Sequence, residues 1–314
     1  MHLEGSIRPA VASALAGRWS VALSEAEVHQ RYAYQNFSEF IEAFKWVTSY
    51  LRAPADYATV AGDLAEQLLQ QNVVYAEITL SVGVMILRKQ DPRANFEAMV
   101  GATEPYEKRG LRLNWIFDAV RQFGPENALE VVEAARRCGS QRIVAFGIGG
   151  DELSVPTADF RAVYEKAASY GLRRLMHAGE IGGPEKIREA VELLGVERIG
   201  HGIAAIHDPE LMDLLAAQRI VLEICPGSNL RTGALAKQLG NPQATVREHP
   251  LPKLLRHGIP VVLSTDDPAM FHTTLDEEYE NAAKMGLTEQ ERKQLVTNSF
   301  QFAFHLPLSG STCT

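Results

Sequence analysis

Short apolar runs separated by amphipathic stretches set the rhythm of this chain. Seven runs read as buried strands: residues 73–80 (VVYAEITL), 111–120 (LRLNWIFDAV), 142–149 (RIVAFGIG), 173–179 (RRLMHAG), 198–203 (RIGHGI), 219–226 (RIVLEICP) and 259–268 (IPVVLSTDDP). Their nearly continuous apolar character fits parallel strands covered on both faces better than half-exposed antiparallel ones. Most follow a helical pattern such as ALEVVEAARRC, FRAVYEKAASYG, PEKIREAVELLG or PELMDLLAAQ, and Gly171 and Gly195 stand where two of these helices should stop. Strands alternating with helices predict a parallel sheet with helices on its outer face.

A doubly wound open sheet would accommodate seven strands, but no glycine-rich phosphate turn follows the first of them. A (β/α)8 TIM barrel, an α/β fold, needs one more strand and puts its functional groups at the C-terminal strand ends, where this chain repeatedly places polar residues. The barrel is the expectation, its first strand largely missing because it would lie before His2. Residues 12–71 read as a helical insertion containing FSEFIEAFKWVTSYL at 37–51. That segment predicts an amphipathic helix whose aromatic stripe packs on the barrel or caps its mouth, in preference to a ligand-stacking box. Without a Pro/Gly/Ser linker, residues 1–314 are expected to form a single domain.

Composition narrows the partners. With 31 basic and 39 acidic residues the net charge is -8, and no Lys/Arg run suggests a nucleic-acid surface. Cys138, Cys225 and Cys313 are odd in number and lack metal-type spacing, which points to a reducing compartment without a disulfide framework. The N-terminal segment has no signal-peptide pattern, and no window reaches the roughly 18 apolar residues of a spanning helix. The expectation is a cytoplasmic protein with no membrane or nucleic-acid partner; its oligomeric state is open.

Candidate chemistry lies at the strand ends: Gly150, Asp151 and Glu152; His177 and Glu180; His201; Ser228 and Asn229; Asp266 and Asp267. Catalytic zinc is held by imidazole and carboxylate groups with one position left for water, a role that suits His177 and Asp266. Glu180, just past its strand, could shuttle protons, and His201 could orient or deprotonate the water. Asp267 would point elsewhere and serve the substrate. A lone strand-end His is ordinarily structural, and an Asp-Asp-Pro turn is often a helix N-cap; recurrence at one end of successive strands favours a site. The other histidines, His29, His207, His249, His257, His272 and His305, read as structural.

The segments HLEGS (2–6), YAEITLS (75–81), GGDE (149–152), MHAGE (176–180), RIGHGI (198–203), CPGSNLRTGAL (225–235) and LSTDDPAMF (263–271) occur in an order that resembles the adenosine deaminase family of the amidohydrolase superfamily. The resemblance spans nearly the whole chain and implies a zinc-containing (β/α)8 barrel with one Zn2+. It makes His2, His177 and Asp266 metal ligands, and Glu180 the group that protonates purine N1 while activated water adds at C6. It implies that His201 with Asp266 positions the water, that Asp267 meets purine N7, that the Gly150 backbone N–H meets N3, and that Glu4 matches an acidic position near the ribose 5′ end. The zinc deaminases that edit nucleic acids use H-x-E with P-C-x-x-C, which this chain lacks.

The chain departs from the family pattern at both ends. The family opens with H-x-H-L-E-G, whereas Met1 falls on the middle position here, so a misplaced start or a truncation is expected. After NSFQFAF, the tail HLPLSGSTCT lacks the charged helical continuation, and Thr79 stands where relatives often carry Arg. Adenosine is the default substrate implied, giving inosine and ammonia. The alternatives are aminodeoxyfutalosine, a nucleoside of a menaquinone route, then adenine, or a catalytically impaired purine-binding relative. A nucleotide would call for a basic phosphate site, for which Arg231 and Lys237 are the candidates. A two-metal hydrolase would need a strand-end Lys, and no run ends in one.

Overall fold

The structure, a computed structural model, describes residues 1–34 and 36–304; the segment 305–314, with His305, Cys313 and the atypical tail, lies outside the described residues. All seven expected strands form: β1 (Tyr75–Leu80), β2 (Arg112–Val120), β3 (Ile143–Gly149), β4 (Arg173–Ala178), β5 (Arg198–His201), β6 (Val221–Ile224) and β7 (Val261–Leu263). They pair in chain order, every neighbour parallel. This is the curled TIM-barrel-like sheet that the alternation predicted, one strand short.

Backbone at the N-terminus joins its two edges. Thr79 N–H donates to Met1 O (2.9 Å), Leu3 N–H donates to Thr79 O (2.9 Å), and His2 N–H donates to Asp266 O (2.8 Å). Residues 1–3 therefore act as a stub of strand, parallel to β1 at the His2–Thr79 bridge and tied to the chain leaving β7. Below the stub the facing edges of β1 and β7 border a cavity of about 470 Å³, lined by Tyr75, Glu77, Val262 and Leu263 among others. Inside the barrel Arg198 is buried between Glu77 and Glu223, at 2.8 and 2.6 Å. A buried charge is tolerated only when paired in this way.

The helical stretch resolves into α1 (Pro9–Arg18), α2 (Glu25–Arg31), α3 (Phe37–Thr48) and α4 (Pro54–Gln70). Local chemistry starts two of them. Ser24 and Glu27 form a reciprocal capping box on α2, and the Asn36 side chain accepts from Glu39 N–H on α3. Phe40, Ala43 and Val47 are the buried stripe of α3, spaced to share one helix face. Phe37, Phe40, Ile41 and Phe44 line the cavity at the C-terminal strand ends, so this helix caps the mouth as expected. One hydrophobic cluster runs from Leu3 through α1–α4 and the barrel to Leu295. No helix among the described residues is long and apolar enough to cross a membrane.

Candidate active site

The C-terminal strand ends enclose a cavity of about 190 Å³ that brings together His2, Asp118, Gly150, His177, Glu180, His201, Thr232, Asp266 and Asp267 under the aromatic cover of α3 and Phe271. Two of these residues hold left-handed backbone although neither is glycine: His201 at φ 63° and Asp266 at φ 57°. Such conformations are uncommon outside Gly and persist where the surroundings enforce them. Here the chain turns abruptly off β5 and β7, which leaves both side chains at the rim.

His2, His177 and Asp266 offer ligand atoms that all lie within 4.8 Å of one another. His2 Nε2 is 3.3 Å from Asp266 Oδ1. Burial lowers the His2 pKa to about 3 and also lowers that of His177, with neighbouring imidazoles adding to the effect. Both rings are therefore neutral, the form that binds metal. Burial pushes Asp266 up, but His201, His2 and His177 outweigh it and bring its pKa down to about 2. The His177 Nδ1 atom is buried without a partner. Two neutral imidazoles and a carboxylate form a donor set suited to zinc. His201, Cys225 and Asp266 are a second close group, but burial holds the Cys225 thiol well above its ordinary pKa, against the thiolate a metal requires.

His201 is positioned by a relay. Leu251 N–H donates to His249 Nδ1 (3.1 Å), and burial keeps His249 neutral, with its pKa near about 3. The His249 proton is then on Nε2, which faces Asn229 Oδ1 at 3.2 Å, and Asn229 Nδ2 faces His201 Nδ1 at 3.1 Å. Because an amide NH2 only donates, His201 Nδ1 is an acceptor and its proton sits on Nε2. That nitrogen points at Glu180 Oε2 (3.5 Å) and Asp266 Oδ2 (3.9 Å).

Glu180 is held by the loop that carries it. The buried carboxylate of Glu152 accepts four backbone N–H groups, from Gly179 (2.8 Å), Glu180 (2.7 Å), Ile181 (2.9 Å) and Gly182 (3.1 Å). Gln238 Nε2 bonds the carbonyls of Glu180 and Gly182, and Thr232 Oγ1 donates to Glu180 Oε1 at 3.3 Å. Burial, reinforced by Asp266 and Glu152, raises the Glu180 pKa to about 8. A carboxyl group so placed stays protonated at neutral pH and can donate.

Asp267 stands at the N-cap position of the turn Pro268–Phe271, yet its side chain makes no cap bond and Oδ1 is buried without a partner. Burial and Asp266 push its pKa well up. Gly5 leaves room for it: a Cβ there would lie 1.8 Å from Asp267 Oδ1. Glu4 is buried behind the stub, accepts from Ser81 N–H (3.0 Å), and has its pKa raised to about 7 by burial; it does not line the cavity. Ser228 Oγ donates to Asp266 Oδ2 at 2.7 Å. Arg231 and Lys237 are exposed and line no part of this cavity.

Sequence reasoning overlooked Asp118, whose only signal is an acid inside the apolar run IFDAV, and assigned no task to Glu152, Asn229, Thr232 or Gln238. Burial, with Glu4 adding to it, raises the Asp118 pKa well above the carboxylate range.

The family described as Adenosine deaminase matches residues 1–308. The chain belongs to the adenosine deaminase family. An aminodeoxyfutalosine deaminase of Streptomyces avermitilis is 36% identical over 311 residues, covering 97% of this chain and 85% of that protein. An adenine deaminase of Rhizobium leguminosarum is 31% identical over 306 residues, covering 96% and 92%. The crystal structure of an adenine deaminase from Arthrobacter aurescens superposes with a TM-score of 0.89 at 28% identity, covering 98% of this chain and 93% of that one. Membership of the adenosine deaminase family makes the protein a metal-dependent hydrolase of C–N bonds in purine-type rings.

Proposed function

We propose that this chain removes the 6-amino group of a purine nucleoside by zinc-dependent hydrolysis, with aminodeoxyfutalosine as the first substrate to test. The supporting observation is the convergence of His2, His177 and Asp266 with Glu180 and His201 on one cavity. Aminodeoxyfutalosine is placed ahead of adenosine because the relatives described above are named for it and for adenine. Adenine is the second reading, favoured by the Arthrobacter aurescens structure.

One Zn2+ would be held by His2, His177 and Asp266; when bound, a metal lowers the pKa of water towards about 7 and so supplies the nucleophile. Glu180 holds a proton at neutral pH and gives it to ring N1, which makes C6 electrophilic. His201 presents Nε2–H between Glu180 and Asp266 and acts as a donor that orients the incoming oxygen. Asp266, kept ionised, accepts the proton that the water sheds. Asp267 carries a proton and would hydrogen-bond N7, and Gly150 would meet N3. Phe37, Phe40, Phe44 and Phe271 cover the base and exclude bulk water. The proton taken up by Asp266 passes to the amine, which departs as ammonia, and the C6 hydroxyl proton returns to Glu180 as the 6-oxopurine forms.

Ammonia release should be measured with aminodeoxyfutalosine, adenosine, adenine and AMP, using the zinc-loaded chain alone and with a His-x segment before Met1. Fastest turnover of aminodeoxyfutalosine supports the reading, and AMP as the best substrate refutes it.

A further inference from the structure

Asp118, two residues before the end of β2, lines the cavity, and the chemistry above gives it no task. It is only 3% exposed, and its Oδ1 has no hydrogen-bond partner. The neighbouring strand is cut back to receive it. A Cβ at Gly147 would lie 2.7 Å from Asp118 Oδ1, and one at Gly149 would lie 3.3 Å from Oδ2. Two glycines of β3 therefore make the space in which this carboxyl group sits against the cavity. Glu4, close enough to interact with Asp118 electrostatically, also has a buried oxygen without a partner, Oε2. A buried acceptor left unpaired is costly unless a ligand pairs with it.

The order of strands says which part of the ligand comes here. Glu180 follows β4, Gly150 follows β3 and Asp118 lies on β2 two residues before its last residue, Val120, and these strands are adjacent in that order. With ring N1 at Glu180 and N3 at Gly150, as proposed above, the next strand, β2, faces the substituent on N9, and Asp118 is the acid it puts into the cavity wall. We propose that Asp118 is a specificity-determining residue that accepts a hydrogen bond from a sugar hydroxyl on N9, so that the site selects nucleosides over free bases. The inference rests on the deaminase reading and on the ring placement within it. A site built to hydrogen-bond a hydroxyl discriminates strongly against analogues that lack it.

The test compares adenosine, 2′-deoxyadenosine, 3′-deoxyadenosine and adenine with the wild type, D118N and D118A, each in the form that turns over. In the wild type, removing the contacted hydroxyl should lower kcat/KM about tenfold to hundredfold, the range for a hydrogen bond to a charged or strongly polar group. In D118A adenosine should fall by the same factor, and the matching deoxynucleoside should fall no further. D118N, which keeps an acceptor oxygen, should retain part of the preference. Calorimetric binding of purine riboside against purine to the same three proteins gives a readout free of turnover, with the preference for the riboside lost in D118A. Equal hydroxyl effects in all three proteins, or adenine outrunning every nucleoside in the wild type, would overturn the assignment to Asp118. Ammonia release from none of the purines by the wild type would instead overturn the deaminase reading, and this inference with it.

Discussion

Asn229 Nδ2 lies 3.1 Å from His201 Nδ1, and the amide's other end is held by His249. This contact decides which nitrogen of His201 carries the proton, and therefore what His201 offers to the cavity. Replacing Asn229 with Ala releases Nδ1 and lets the proton move there. The expected loss in kcat/KM is about tenfold to hundredfold, the usual cost of removing an orienting partner. Nitrogen NMR of the imidazoles should show His201 as the Nε2–H tautomer in the wild type and as a mixture in N229A. An unchanged tautomer and rate would show that the relay has no part in catalysis.

Glu180 sets the alkaline limit. Its folded pKa is raised to about 8, above the ordinary carboxylate value, so the acid form is present below that pH and is lost as pH rises through it. The sign for activity follows: kcat/KM should fall on the alkaline side with an apparent pKa near 8. Removing the Glu152 charge in E152Q eases ionisation of Glu180, so the limb should move to lower pH while the loop at 179–182 loosens. A limb that stays in place or moves to higher pH would contradict the assignment.

Metal affinity should be insensitive to mild acid. His2 and His177 have pKa values below the ordinary histidine value, His2 near about 3, so both remain neutral where an ordinary imidazole would protonate. Zinc affinity measured by competition with a chromophoric chelator should change less than about threefold between pH 7.5 and 6, against the loss expected of ligands titrating near 6.5. A saturating metal at about 100 times Kd should add roughly 2.7 kcal/mol of stability, and H177A or D266N should abolish that gain. A tenfold loss of affinity over the same pH interval would show that the rings protonate readily.

Gly5 is needed for Asp267. A methyl group at position 5 would occupy the space of the Asp267 carboxylate, 1.8 Å from Oδ1. Gly5→Ala should cost about 1 to 3 kcal/mol as overpacking and should also displace Asp267, lowering kcat/KM. Urea denaturation with parallel kinetics checks both effects, and a variant as stable and active as the wild type would refute the close packing.

Much of this was legible before folding because charged residues at the ends of apolar runs stand out. His177, Glu180, His201, Asp266 and Asp267 all carry that signal, and the structure gathers them in one cavity. Asp118 was hidden within its apolar run, and only the placement of β2 beside Gly147 and Gly149 gives it a role. Glu152 was visible in GGDE, but its four N–H partners are provided by a loop 27 to 30 residues away. The Asn229–His249 contact likewise exists only in three dimensions. Periodicity located α3 and offered two places for its aromatic stripe, on the barrel or over its mouth, and only the fold decides that Phe37, Phe40 and Phe44 line the cavity.

The most direct measurement is ammonia release from aminodeoxyfutalosine, adenosine and adenine by the zinc-loaded chain, with and without a His-x segment before Met1, alongside E180Q. At least one form should deaminate a 6-aminopurine nucleoside, and E180Q should lose this activity while retaining zinc. Stoichiometric zinc with no ammonia from any purine, or full activity in E180Q, would contradict the deaminase reading.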